Sequence, residues 1–228
     1  MADDKVVKKE AGAVAVKSNV SVDVMMGVLK STKYLDRLQF MSSGSTQCKA
    51  GEFPINHYAF VRGDSLEDIG TDVNVIALAM RLKAMDFNDG VRAVYDPKLN
   101  DENIPTGEFK KIMDESEEKD SNMMWGTEFL VYVPVKQEFA SLFFGSKTAR
   151  RDIPSMVARM NKPATLKSKK IETKKYTYYS MLVTPCSETF DLPAQTKVDE
   201  EIEKFLNPPE SEVEVVDEKD AAATKQAR

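Results

Sequence analysis

Residues 73–87 read VNVIALAMRLKAMDF, the most apolar run of a 228-residue chain, and the assignment of this run decides the fold. Its alanines, leucines and methionines are good helix formers. Its leading residues are β-branched, and Val73, Val75, Ala77, Ala79 and Arg81 alternate with Asn74, Ile76, Leu78 and Met80. That two-residue period reads as a long strand. FNDG at 87–90 is a turn signal, and VRAVY at 91–95 reads as the return strand of a hairpin.

Working outward, YLDRLQFM at 34–41 alternates loosely and reads as a strand, with Ser, Gly and Pro marking the loop after it. Residues 57–61 form a short strand candidate. FLVYVPV at 129–135 and EFASLFF at 138–144 are two more, and Pro134 suggests an edge or a bulge. Residues 165–183 read as a strand or a hairpin. Three short helices interrupt the strands. Thr106 stands where it would cap the first, in which Phe109, Ile112 and Met113 share a face. Ile153, Met156, Val157 and Met160 follow helical spacing, with Pro154 in the first turn and Pro163 beyond the end. Val198, Ile202, Phe205 and Leu206 make an apolar stripe stopped by Asn207-Pro208-Pro209, with Thr196 and Asp199 as a capping pair. The sum is a mainly β domain, a β-barrel of OB-like type or a sandwich, with a few short helices. The expected organisation is a mobile arm at 1–20, one β-rich domain at 21–207 and a disordered acidic tail at 208–228. Residues 21–33 could be strand or helix.

Composition narrows the chemistry. No apolar run approaches the ~18 residues that span a bilayer, and MADDKVVKKEAGAVAV makes a poor signal peptide. Cys48 and Cys186 are far apart and form no CxxC pair, so a disulfide scaffold and a structural zinc site are not expected, and a reducing, cytoplasmic compartment is. His57 is the sole histidine, which rules out HExxH zinc chemistry and obliges any histidine-based triad to use it. Neither a GxxxxGK[ST] nor a GxGxxG loop occurs. Acids are abundant, but no set of them marks a two-metal site. No catalytic residue, metal or cofactor is assigned.

Charge is sorted along the chain. Residues 146–179, SKTARRDIPSMVARMNKPATLKSKKIETKKYTYY, carry ten basic residues against Asp152 and Glu172, about +8 in a chain of net charge −5. Residues 21–145 hold 13 bases against 20 acids, and residues 199–220 hold ten acids against two lysines. A cationic band running into tyrosines suggests a polyanion-binding surface with stacking groups. On a continuous strand Lys170, Lys174, Tyr176 and Tyr178 share one face, and Ile171, Tyr179, Met181 and Val183 share the other, suited to a core. Lys167 and Lys175 extend the cationic side. Lys147, Arg150 and Arg151, ahead of the 153–160 helix, would add a phosphate site. The competing reading has Tyr176 and Tyr178 shielding a sheet, while the lysines keep an edge from aggregating.

A β-rich body, a lysine/aromatic strand and an acidic tail, with YLDRLQFM, FFGSKTARRDIP and ATLKSKKIETKKYTYY in the same chain, resemble phage-type single-stranded DNA-binding proteins, many of them OB folds. The resemblance is one of type, spread over residues 34–206. It implies a non-enzymatic protein that coats single strands in replication or recombination, in the host cytoplasm if phage-encoded. Replication or recombination proteins would be its partners through the acidic tail, which would also compete with nucleic acid for the basic groove. Two departures stand against it: the terminus KQAR is basic where that class often ends in acids, and the middle segment is acidic. The second reading is a phage structural or protein-interaction module whose basic stretch binds an acidic partner. The third is an enzyme with an acidic metal site.

Overall fold

The structure, a computed structural model of the chain, describes residues 35–207 apart from 64, 89–91, 96, 119–120 and 174–176. The expected arm at 1–20, the segment 21–33 and the acidic tail at 208–228 lie outside the described residues.

The run at 73–87 forms the strand its β-branched lead suggests, bounded at Asp72–Asp86, and the rest of the sheet is arranged on it. The strands are β1 (Asp36–Phe40), β2 (Tyr58–Arg62), β3 (Ser65–Asp68), β4 (Asp72–Asp86), β5 (Arg92–Tyr95), β6 (Met123–Val133), β7 (Glu138–Phe144), β8 (Pro163–Glu172) and β9 (Thr177–Pro185). β5 returns antiparallel along the far end of β4, Lys83 opposite Tyr95, as the FNDG signal predicts. β4 also pairs with β6 on one edge and with β8 through its first half. The helices are α1 (Thr46–Lys49), α2 (Gly107–Glu115), α3 (Ile153–Val157), which continues a 3-10 turn at Ala149–Asp152, and α4 (Gln195–Leu206).

All nine strands belong to one sheet, mixed because β1 and β7 run parallel, so the sandwich expectation is corrected. Closure into a barrel is not found either. The hydrogen-bonded order is open, β3-β2-β1-β7-β6-β4-β8-β9. The sheet is nevertheless strongly curled. Tyr58 of β2 gives its hydroxyl proton to the Lys167 carbonyl of β8 at 3.3 Å, across four intervening strands of that order. Inside the curl, Leu38, Tyr58, Phe60, Val73, Val75, Phe129, Val131, Leu142, Phe144, Leu166, Met181 and Val183 form one buried cluster, closed by Ala149 and Met156 from the turn and α3. Apolar burial at roughly 25 cal/mol per Å² makes this cluster the main driving term of the fold.

Strict alternation along β4 puts Arg81 on the same face as Val73, and the structure corrects this. A β-bulge shifts the register between Ala77 and Ala79, so Ala77 faces Val131 while Ala79 faces Leu130. One extra residue flips every later side chain to the opposite face. Val73, Val75 and Ala77 therefore enter the inner core, while Ala79 joins Ile76, Leu78, Leu130, Tyr132 and Phe139 under α4 on the outer face. The α4 stripe docks there through Val198, Ile202 and Phe205, as its spacing predicts, but Leu206 stays exposed. Asp199 accepts a hydrogen bond from Gln195, and no side chain caps the helix.

Other local expectations need adjustment. Thr106 precedes α2 but caps nothing, because its hydroxyl donates to the Lys98 carbonyl at 2.9 Å. Phe109 and Ile112 are buried as their spacing predicts. Pro134 marks no edge: β6 ends at Val133, and Pro134 opens the turn into β7, with Gln137 at φ 56°. α3 stops at Val157, short of Met160. Gly126 is required by a close approach. A Cβ there would fall 2.0 Å from the Phe144 carbonyl oxygen and 2.9 Å from the Gly145 Cα, both backbone atoms that cannot yield cheaply.

Candidate nucleic-acid interface

The basic band is split by the fold into two separate places. The first is the β8–β9 hairpin. β8 is laddered to β4 from Pro163 to Lys167, and one more backbone bond follows, Ser168 N–H to the Thr71 carbonyl at 3.2 Å. From Lys169 to Glu172, β8 pairs with β9 alone among the described strands. A two-stranded ribbon therefore runs beyond the ladder with β4. At ~3.3 Å per residue its four described pairs reach about 13 Å. Chain composition explains the change: Ala164 and Leu166 are buried in the inner core, whereas Lys167, Lys169, Lys170 and Glu172 are exposed.

The register revises which side chains share a face. Lys170 lies opposite Tyr179, Lys169 opposite Ser180, Ile171 opposite Tyr178 and Lys167 opposite Leu182. Directly paired residues point the same way. The expected grouping of Lys170 with Tyr178 is therefore wrong, because the chain reverses between Glu172 and Thr177 instead of running on as one strand. Tyr179 does share the face of Met181 and Val183, both buried. It is itself 36% exposed, since the ribbon has by then left the core. The result is a ribbon with a lysine and a tyrosine on each face, Lys169 with Tyr178 and Lys170 with Tyr179. Lys170 also makes an ion pair with Glu172 at 2.5 Å. Lys174, Lys175 and Tyr176 lie outside the described residues.

The second place is the turn after β7. Ser146 organises it, its hydroxyl accepting from Ala149 N–H at 3.1 Å and its carbonyl from Arg150 N–H at 2.9 Å. Lys147 and Arg150 do not face solvent with their charges open. The Glu117 carboxylate lies between them, 2.6 Å from Lys147 Nζ and 2.8 Å from Arg150 Nη2. Arg150 also stacks on Trp125, its guanidinium carbon 4.2 Å from the ring centroid, and donates to the Trp125 carbonyl at 3.1 Å. Hydrogen bonds and charge from Lys147 and Arg150 hold the Glu117 carboxyl below its ordinary range. Arg151 is exposed. Neither Trp125 nor Glu117 is singled out by the sequence, because the charge sorting directs attention to the basic stretch and away from the acidic segment that supplies its partner.

Asp152 ends the same turn and accepts a hydrogen bond from the Val183 backbone, on the outer edge of β9. Burial raises its carboxyl above the ordinary range, against that hydrogen bond and the charge of Lys169. Burial, with the charges of Asp152 and Asp72, likewise pushes the Tyr58 hydroxyl upward.

The remaining groups singled out in the sequence are placed simply. His57 Nδ1 lies 2.8 Å from Asp68 at the surface, and Cys48 and Cys186 are free thiols. Among the described residues no group of three or more His, Cys, Asp or Glu side chains could hold a metal ion, and no helix is long and apolar enough to cross a membrane. No protein-family model, curated protein or solved structure matches the chain.

Proposed function

We propose that this chain is a non-enzymatic single-stranded nucleic-acid-binding protein that grips its ligand with the β8–β9 ribbon. The observation that carries the reading is the ribbon itself: a two-stranded arm running past the ladder with β4 and bearing a lysine and a tyrosine on each face. Lysines follow phosphates and aromatic rings stack on bases irrespective of sequence, which suits a ligand whose bases are unpaired. Duplex would offer the ribbon its phosphates but not its base faces. The resemblance to phage-type single-stranded DNA-binding proteins supports the same reading and supplies its context, the coating of single strands in replication or recombination. An OB-like ancestry for the curled sheet belongs to the same proposal.

The test is a binding panel of oligothymidylate, the matching RNA and duplex DNA at two salt concentrations. Single strands are expected to bind tighter than duplex, with affinity falling steeply with salt. Equal affinity for duplex, or no binding to any of the three, would overturn the reading.

A further inference from the structure

Glu117, Lys147, Arg150 and Trp125 form a second cluster whose geometry goes beyond the ribbon. Glu117 stands in the turn after α2, and its two oxygens divide between two cations, Oε2 to Lys147 and Oε1 to Arg150. A phosphate diester offers two charged oxygens with the same demand. Arg150 is prepared to receive one, because the Trp125 ring and carbonyl hold its guanidinium plane in place and leave its side chain only 16% exposed. Lys147 is 64% exposed and Glu117 49%, so the pair with Lys147 is a water-exposed one of the weak kind. A polyanion that releases counterions on binding can displace such a group.

We propose that Lys147 and Arg150 are a phosphate subsite on the nucleic-acid path, and that the Glu117 carboxylate is its internal competitor. The proposal rests on the single-strand reading above and adds regulation to it. Strand binding requires Glu117 to leave, so the chain sets its own affinity through an acid in the segment between α2 and β6. Displacement also changes the surroundings of the indole, because Arg150 lies on its face.

Trp125 is the sole tryptophan of the chain, so its emission reports on this site alone. The experiment uses the full chain and a 5′-labelled oligothymidylate of roughly ten nucleotides. Anisotropy gives affinity, and indole emission gives occupancy. Wild-type protein is expected to shift its Trp125 emission on binding. E117Q is expected to bind about three- to fivefold tighter at low salt, the size of one exposed ion pair. E118Q makes the same change of net charge one residue away and is expected to bind within about twofold of wild type. In the K147A background the gain from E117Q should shrink, because only Arg150 is then left for the carboxylate to occupy. Oligothymidylate that binds wild type while Trp125 emission stays still, with E117Q and E118Q equal to wild type, would overturn the subsite and leave the ribbon standing. Oligothymidylate that fails to bind at all would overturn both.

Discussion

Arg81 and Glu128 meet across β4 and β6 in an ion pair shut away from solvent, with Nε and Nη2 of the arginine 2.8 and 2.7 Å from one carboxylate oxygen. The other oxygen takes Lys83 at 2.7 Å, and the three side chains are 7%, 3% and 7% exposed. The remaining arginine nitrogen donates to the Phe205 carbonyl at the end of α4, and the guanidinium lies between the Tyr95 and Phe205 rings, 4.0 and 4.2 Å from their centroids. Burial works against an ionised Glu128, but the charges and hydrogen bonds of Lys83 and Arg81 outweigh it and hold its carboxyl below the ordinary range.

Removing Glu128 leaves two buried cations unpaired, so Glu128→Ala should cost roughly 3–5 kcal/mol of stability by denaturant unfolding. Replacing all three charges together, as R81M/K83M/E128L, should cost far less, because no uncompensated charge remains. A lowered folded carboxyl contributes stability above its unfolded pKa and loses it as pH falls through the folded value. The wild-type advantage over the triple variant should therefore shrink on the acid side. A Glu128→Ala protein as stable as wild type would show that the triad does not hold α4.

Charge and stacking on the ribbon are separable by salt. Lys167→Ala with Lys169→Ala removes two cations from one face without touching the core, since both are exposed. Single-strand affinity should fall at low salt, and the slope of log affinity against log salt should flatten by up to about 1.4, at ~0.7 for each phosphate no longer neutralised. An unchanged slope would place the phosphates elsewhere.

The tyrosines should behave differently. Tyr178→Ala and Tyr179→Ala are each expected to lose ~1–3 kcal/mol of binding. That loss should persist at high salt, where ion pairing is screened. Phenylalanine at either position should restore most of it, because the ring does the stacking. Neither substitution should lower Tm much, as both side chains stand beyond the buried Met181 and Val183. Early melting of both alanine variants with unchanged affinity per folded molecule would make the rings structural cover.

Asp152 provides a pH test with the opposite sign to Glu128. A carboxyl raised by burial favours its protonated form in the folded state. Its stabilising contribution is therefore present below the unfolded pKa of ~4 and is lost as pH rises through the folded value. Asp152→Asn keeps an acceptor for the Val183 backbone and should raise Tm near neutral pH. The gain should vanish in acid. A Tm difference that does not vary with pH would assign the effect to packing.

The sequence by itself determined the long strand within 73–87, its return strand within 91–95, the two strand runs at 129–135 and 138–144, and the docking helix near the end of the chain. Each rests on a period read over a few neighbouring residues, and local backbone preference and burial pointed the same way. It also located the cationic stretch, because charge is a property of composition. Only the tertiary structure decided which faces these residues occupy. The bulge between Ala77 and Ala79 moved Arg81 off the face that strict alternation assigns it, and set it against Glu128 and α4. The reversal between Glu172 and Thr177 put Lys170 beside Tyr179 instead of Tyr178. A single inserted residue or a reversal of direction exchanges the two faces of a strand at almost no cost in local preference. Pairing with a distant strand settles the choice, and the partners lie far away in sequence: Leu130 for Ala79, and Glu117 for Arg150.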